Sequence, residues 1–211
     1  MKKIKFLLLS IFICHIFSAN IFAHTLEEIT QNLSKNEITC GDFTQIKTIN
    51  TSKGSRDIKS NGTFVLSPDG IMWNTIKPIA SKMIITETKI IQIDAKNNKN
   101  IIDGTDNATF ASISATISTV FKNDLAMLKE KFDLSFSEAE NDTWKLELSP
   151  KDSTIASVIK TFFLQGSASG SKVSLDSLEI VESNGGQIKY FFSNQQYTKN
   201  ADYKEMMDLL R

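Results

Sequence analysis

The sequence predicts a mainly β fold with a few helices, built on one large antiparallel sheet. Residues 132–136 and 144–148 alternate strictly between apolar and polar side chains, which indicates strands with one apolar face. The sequence Asn184-Gly185-Gly186 separates two strand-like runs and is typical of a hairpin turn. About ten short strands follow one another through polar turns, and an antiparallel sheet of that size must curl, split or close.

The strands are predicted from β-branched and alternating runs bounded by turn residues. They are residues 43–49, 62–66, 71–75, 83–86, 89–93, 100–102, 132–136, 144–148, 161–165, 173–181 and 187–193. Residues 50–61 are interpreted as a polar hairpin connection, and Pro68 occupies the preferred second position of the turn at residues 67–70.

Short helices are predicted near the start, the middle and the end of the chain. Residues 26–33 carry apolar side chains at helical spacing, and Thr25 with Glu28 forms a capping box. Residues 124–131 and 201–210 also show helical spacing. The sequence contains no internal repeat, so residues 24–211 are expected to form a single domain.

The first 23 residues are predicted to be a cleaved signal peptide. Lys2, Lys3 and Lys5 precede an apolar run at residues 6–17, and Ala23 offers a small residue for cleavage. The run is shorter than the roughly 20 residues of a membrane span. An uncleaved N-terminal anchor is the alternative interpretation.

Charge and cysteine content restrict the class of protein. The chain has 24 basic and 24 acidic residues, and without the three lysines of the signal it is mildly acidic. No basic surface for nucleic acid or polybasic segment for membranes is predicted. Cys40 is then the single cysteine and is expected to be a buried apolar residue. Cys14 follows bulky Ile13, a poor context for lipid attachment.

The sequence offers no catalytic, cofactor or metal motif, so we expect a protein that is not an enzyme. His24 is the one histidine after the signal, and histidines, cysteines and acids do not cluster at ligand spacing. Gly166 and Gly170 flank a turn and do not form a phosphate loop. Glu138 and Glu140 are interpreted as solvated charges.

What remains is an apolar sheet face that exceeds the helices available to cover it. A sheet that curls around space that it cannot fill would enclose an apolar cavity. The residues predicted to line this cavity are Phe43, Phe64, Ile71, Trp73, Ile91, Ile93, Trp144, Leu146, Leu148, Phe163, Leu178 and Ile180. An uncharged stretch with apolar residues at helical spacing is predicted to cover the cavity as a lid, through Phe110, Ile113, Ile117, Val120 and Phe121.

Several motifs resemble the periplasmic outer-membrane lipoprotein carriers of the LolA type. They are Gly41-x-Phe43-x-Gln45, Gly62-x-Phe64, Pro68-x-Gly70-x-x-Trp73, Lys77-Pro78, Trp144-x-Leu-x-Leu-x-Pro150 and Leu178-x-Ile-x-Glu182. The resemblance implies an incomplete β-barrel with a helical lid over an apolar cavity. It also implies a soluble, monomeric periplasmic carrier that takes acylated lipoproteins from an inner-membrane transporter to an outer-membrane receptor. The second half is similar to a divergent branch associated with acyl-lipid pathways, so the cargo could instead be another acyl lipid.

One position departs from the family pattern. The carriers have an arginine before the proline of the turn that precedes their tryptophan, and that arginine holds the lid shut. Ser67 stands at this position here, so the latch must differ. A lipid-sensing or regulatory binding module and a membrane-fixed lipoprotein receptor of the same fold remain as alternatives.

Overall fold

The computed structural model describes residues 24–86, 88–103, 119, 125–139 and 142–211. Their helices are α1 (Leu26–Ser34), α2 (Leu125–Lys131), α3 (Ser153–Ala156) and α4 (Ala201–Leu210). Their strands are β1 (Thr39–Thr51), β2 (Gly54–Ser67), β3 (Gly70–Lys77), β4 (Ser81–Ile85), β5 (Lys89–Ile93), β6 (Lys99–Asp103), β7 (Phe132–Ala139), β8 (Thr143–Pro150), β9 (Ile159–Ser169), β10 (Lys172–Val173), β11 (Ser177–Glu182) and β12 (Gln187–Gln196).

The strands form one antiparallel sheet, which confirms the predicted fold class. Its order is β6-β5-β4-β3-β2-β1-β12-β11-β9-β8-β7, and β10 pairs with β9 alone. The chain therefore enters at the middle of the sheet and runs out to β6. It continues from the opposite edge at β7 and returns to the middle at β12, which pairs with β1.

Two strand predictions need correction. Residues 50–61 are not a polar connection, because β1 and β2 stay paired as far as Thr51 and Gly54. The β-branched residues among these polar ones favour extended backbone, and Gly54 adopts the positive φ of 114° at which the chain turns. The predicted strand 173–181 is split into β10 and β11, which pair with different parts of β9.

The sheet curves strongly toward one face, which we call the inner face. Trp73 on β3 and Tyr190 on β12 are separated by β2 and β1. Three strand spacings would place them about 14 Å apart in a flat sheet. Their ring centroids nevertheless lie 4.7 Å apart. The inner face carries the larger apolar cluster, which we call the inner cluster. Helix α1 contributes Leu26, Ile29 and Leu33 to it.

The opposite, outer face carries a smaller apolar cluster beneath α4, which we call the outer cluster. Met206 of α4 packs there against side chains of five strands and is fully buried. Cys40 belongs to this cluster, and burial raises the pKa of its thiol. The prediction of a buried, unpaired Cys40 is confirmed.

Candidate functional site: an aromatic trough on the inner face

Five aromatic rings form the floor of the inner face near the centre of the sheet. We call the surface that they make the trough: Phe43, Phe64, Trp73, Tyr190 and Phe192. Trp73 stacks on Tyr190 and meets the edge of Phe43 at 5.4 Å between centroids. Phe64 lies 4.9 Å from Phe192, and aromatic pairs at these separations attract one another beyond simple burial.

Glycines of the sequence motifs allow these rings to approach one another. A Cβ on Gly62 would lie 1.9 Å from the carbonyl oxygen of Asn74, so β2 and β3 could not keep their spacing. A Cβ on Gly41 would lie 2.9 Å from the ring of Phe64. The glycines before Phe43 and Phe64 therefore leave room for neighbouring backbone and rings.

An open hollow of about 360 Å³ lies where the trough meets β4 and β5. Its lining is Phe43, Gln45, Trp73, Thr75, Ser81, Lys82, Met83, Gln92, Ile93, Asp94 and Tyr190. Five of these residues supply aromatic or aliphatic surface and six are polar or charged. Ligand sites combine apolar walls with polar groups that fix orientation.

Hydrogen bonds fix the polar end of Tyr190. Ser60 Oγ donates to Gln45 Oε1 at 2.6 Å, and Gln45 Nε2 donates to Tyr190 Oη at 2.7 Å. Burial raises the pKa of Tyr190 to about 12, so its hydroxyl stays neutral at physiological pH. This series of hydrogen bonds explains the glutamine of the Gly41-x-Phe43-x-Gln45 motif, because Gln45 orients the ring of Tyr190.

Helix α1 covers part of the inner face. Thr25 and Glu28 form the predicted capping box, with hydrogen bonds of 3.2 and 2.8 Å. Glu27 of α1 also pairs with Lys129 of α2 at 3.1 Å, and both side chains are 60% exposed. Surface pairs of this kind contribute little.

Among the described residues, the hydrogen bonds of Ser67 reach no helix. Its hydroxyl donates to the carbonyl of Gly70 at 3.1 Å and accepts from the backbone N–H of Asp69 at 3.2 Å. Both bonds stay within the turn.

The structure brings nine of the twelve predicted cavity residues into the inner cluster. They are Phe43, Phe64, Ile71, Trp73, Trp144, Leu146, Leu148, Leu178 and Ile180. The indole N–H of Trp144 is buried and has no acceptor among the described residues. The predicted lid residues Phe110, Ile113, Ile117, Val120 and Phe121 lie outside the described part of the chain.

The other three predicted residues do not join the inner cluster. Ile91 is buried in the outer cluster, and Ile93 packs against that cluster while also lining the hollow. Phe163 is 38% exposed, between the inward-facing Phe162 and Leu164. Adjacent apolar residues on a strand point to opposite faces, so pattern alone could not choose between Phe162 and Phe163.

Sequence reasoning missed two rings of the trough, Tyr190 and Phe192. Both lie in a strand that was predicted, in phase with Ile188. The run Tyr190-Phe191-Phe192 hides the alternation, because Phe191 is equally apolar yet 47% exposed. Phe43 on β1 lies opposite Phe192 on β12, and this pairing puts Phe192 and Tyr190 in the trough. The pairing can be recognised only when the order of the strands in the sheet is known.

Two negative findings apply to the residues that the structure describes. They contain no group of histidine, cysteine, aspartate and glutamate side chains that could hold a metal ion. None of their helices is long and apolar enough to cross a membrane.

The curved open sheet, with helix α1 against its inner face, defines a half-barrel fold. The chain belongs to the LolA family, because the family model described as outer membrane lipoprotein carrier protein LolA matches residues 34–205. Curated proteins include no significant match to the chain.

Structural matches to the chain come from several bacteria, each with a TM-score below 0.5. An outer membrane lipoprotein-sorting protein domain from Vibrio parahaemolyticus is 11% identical, with a TM-score of 0.48 over 87% of this chain and 97% of that one. A DUF1329 family protein from Desulfovibrio piger is 9% identical, with a TM-score of 0.47 over 84% and 95% of the two chains. A LolA superfamily protein from Nitrosomonas europaea is 8% identical, with a TM-score of 0.44 over 85% and 96%.

Proposed function

We propose that this protein is a periplasmic carrier that shields the acyl chains of lipoproteins, or of a related acyl lipid, in the trough. It would receive them at the inner membrane and release them at the outer membrane, without making or breaking a covalent bond. Membership of the LolA family supports the carrier class.

The observation that carries the proposal is the hollow beside the trough. Its volume of about 360 Å³ lies at the lower end of the range of small-molecule sites, roughly 300–1,000 Å³. Each methylene removed from water contributes about 0.8 kcal/mol, so an acyl chain gains most where walls are aromatic or aliphatic. Phe43, Trp73 and Met83 supply such walls.

A carrier must also release its cargo, and α1 offers a means. Its three apolar residues Leu26, Ile29 and Leu33 are buried in the inner cluster. A chain that enters beneath α1 must displace these contacts, and their loss offsets part of the gain from burying the cargo. Binding would then be reversible.

The first experiment places a charge in the hollow. Met83→Asp puts a carboxylate on the apolar wall, and we expect at least tenfold weaker binding of a fluorescent sixteen-carbon fatty acid. The matched control is Phe163→Asp, because Phe163 is already 38% exposed outside the inner cluster. Equal binding by both variants would contradict the assignment of the hollow.

Trp73 provides an independent readout. The chain has two tryptophans, so Trp144→Phe leaves Trp73 as the sole indole. Energy transfer from Trp73 to bound cis-parinaric acid should be efficient, because the ring lines the hollow. Native mass spectrometry of protein taken from its own periplasm would then identify the natural cargo by its mass.

A further inference from the structure

All three nitrogens of His24 converge on two oxygen atoms. Its Nδ1 lies 2.7 Å from Glu138 Oε1, and its backbone nitrogen donates to the same oxygen at 2.9 Å. Its Nε2 lies 3.2 Å from the carbonyl oxygen of Gly170. We call His24, Glu138 and Gly170 the N-terminal clasp.

The clasp holds one end of α1 against the sheet. His24 lies two residues before the first residue of α1. Glu138 is on β7 opposite Trp144 of the inner cluster, and Gly170 is in the turn between β9 and β10. The helix that covers the inner face is thus tied to two separate parts of the sheet at its N-terminal end.

Among the three nitrogens of His24, the backbone nitrogen is the one whose charge depends on cleavage of the chain. In an uncut chain it is a neutral amide N–H, whereas at a free N-terminus it is an ammonium group with an ordinary pKa of about 8. Cleavage therefore turns a neutral donor to the Glu138 carboxylate into a charged one, which adds attraction between opposite charges to the hydrogen bond. The sequence predicts cleavage directly before this residue.

We propose that Glu138 and the Gly170 carbonyl form a receptor for the N-terminus created at His24, and that proteolytic processing thereby fastens α1 against the inner face of the sheet. Hydrolysis breaks the peptide bond between residues 23 and 24. Water supplies a hydroxyl to the new carboxyl group and a proton to the amine, which takes a second proton from solvent. The part that concerns cargo rests on the proposed function.

The charges around His24 agree with such a receptor. Glu138 from β7 and Glu28 from α1 act on the imidazole, and the turn between β9 and β10 presents a carbonyl oxygen. The hydrogen bond to Glu138 is the main cause that raises the pKa of His24. The hydrogen bond from the His24 backbone is the main cause that lowers the pKa of Glu138. The site therefore favours positive charge on His24.

The test compares the exported, processed protein with a variant that has one glycine inserted between Ala23 and His24. Insertion moves the ammonium group by one residue, about 3.8 Å, while His24 keeps its imidazole and a backbone N–H. Mass spectrometry first establishes the mature N-terminus. We then expect amides of α1 to exchange with solvent about three- to tenfold faster in the variant.

Glu138→Gln should give the same acceleration and return the pKa of His24 toward its ordinary 6.5. The titration is clean, because His24 is the one histidine in residues 24–211. Glu179→Gln is the matched control. It breaks an ion pair with Lys189 at 3.2 Å that includes no residue of the clasp, so it should change neither the exchange of α1 nor the pKa of His24.

A mature chain that starts elsewhere, or equal exchange in the inserted and native forms, would overturn the proposal. Release of the fluorescent fatty acid is measured in parallel and should accelerate with α1 exchange. If no form binds the fatty acid, the carrier function fails, while exchange of α1 still decides the clasp.

Discussion

The two faces of the sheet are both buried by helices, but they are covered in different ways. On the outer face, α4 is fixed along its length: Lys82 pairs with Glu205, and Lys89 and Lys99 donate to its last carbonyls at 3.2 and 3.1 Å. On the inner face, polar contacts tie α1 at its start through His24 and through an exposed ion pair, and Leu26, Ile29 and Leu33 are buried along its length. Polar contacts therefore fix α4 at several points, whereas α1 combines polar ties at its start with apolar packing along its length.

The largest expected effect tests the outer cover. Met206→Ala should lower the free energy of unfolding by about 2–5 kcal/mol, because it leaves a cavity at a fully buried site. Urea unfolding measures the loss, and fatty-acid binding by the folded variant should be unchanged. Met207→Ala, at a half-buried neighbour, should cost much less. Weakened binding in Met206→Ala would show that the two faces are not independent.

Alkaline pH tests the inner face. Because the pKa of Tyr190 is raised from 10 to about 12, the folded state resists ionisation of the phenol more than the unfolded state does. The stabilisation is fully present below pH 10 and is lost as the pH rises to about 12, a loss of about 2–3 kcal/mol. Unfolding of the native protein should therefore be more alkali-sensitive than that of Tyr190→Phe. Parallel curves would contradict the burial of the phenol.

The curvature of the inner face can be tested at Gly62. Gly62→Ala would force its Cβ against the Asn74 carbonyl, and we expect a loss of about 1–3 kcal/mol from backbone adjustment. Lys59→Ala, an exposed position on the same strand, is the control. Thermal unfolding of both variants gives the comparison, and an equally mild effect would mean that β2 and β3 can separate freely.

The smallest expected effect concerns the tie of α1. The raised pKa of His24 gives stability that is present below pH 6.5 and is lost as the pH rises through the folded pKa. The lowered pKa of Glu138 gives stability that is present above pH 4.5 and is lost under acid. The free energy of unfolding of the native protein should therefore exceed that of the His24→Gln variant most between pH 4.5 and pH 6.5. The difference should be less than about 1 kcal/mol. A difference independent of pH would exclude an ionic clasp.

Local sequence patterns predicted the strands well, because alternation and turn chemistry are local. The turn at Pro68, the capping box at Thr25 and the strands around Trp144 follow from residues close in sequence. The continuation of β1 and β2 through residues 50–61 was missed because these polar residues look like a long hairpin loop. They stay extended because the flanking strands hold them in register.

The face of each side chain was predictable only where apolar and polar residues alternate. Leu146 and Leu148 could be assigned, whereas Ile91 and Phe163 have apolar neighbours and were assigned to the wrong face. The contact between His24 and Glu138 joins residues 114 positions apart in the chain. Nothing in either local sequence predicts it, since it depends on where β7 lies in the sheet.

The pairing of β1 with β12 sets the order in which the molecule can be completed. Synthesis from the N-terminus delivers Phe43 early and its strand partner Phe192 almost last. Such distant pairing slows folding, and Phe43 on β1 lacks its partner on β12 until nearly the whole chain has been made. Completion of the trough is therefore a late event, which must wait for the C-terminal strand β12.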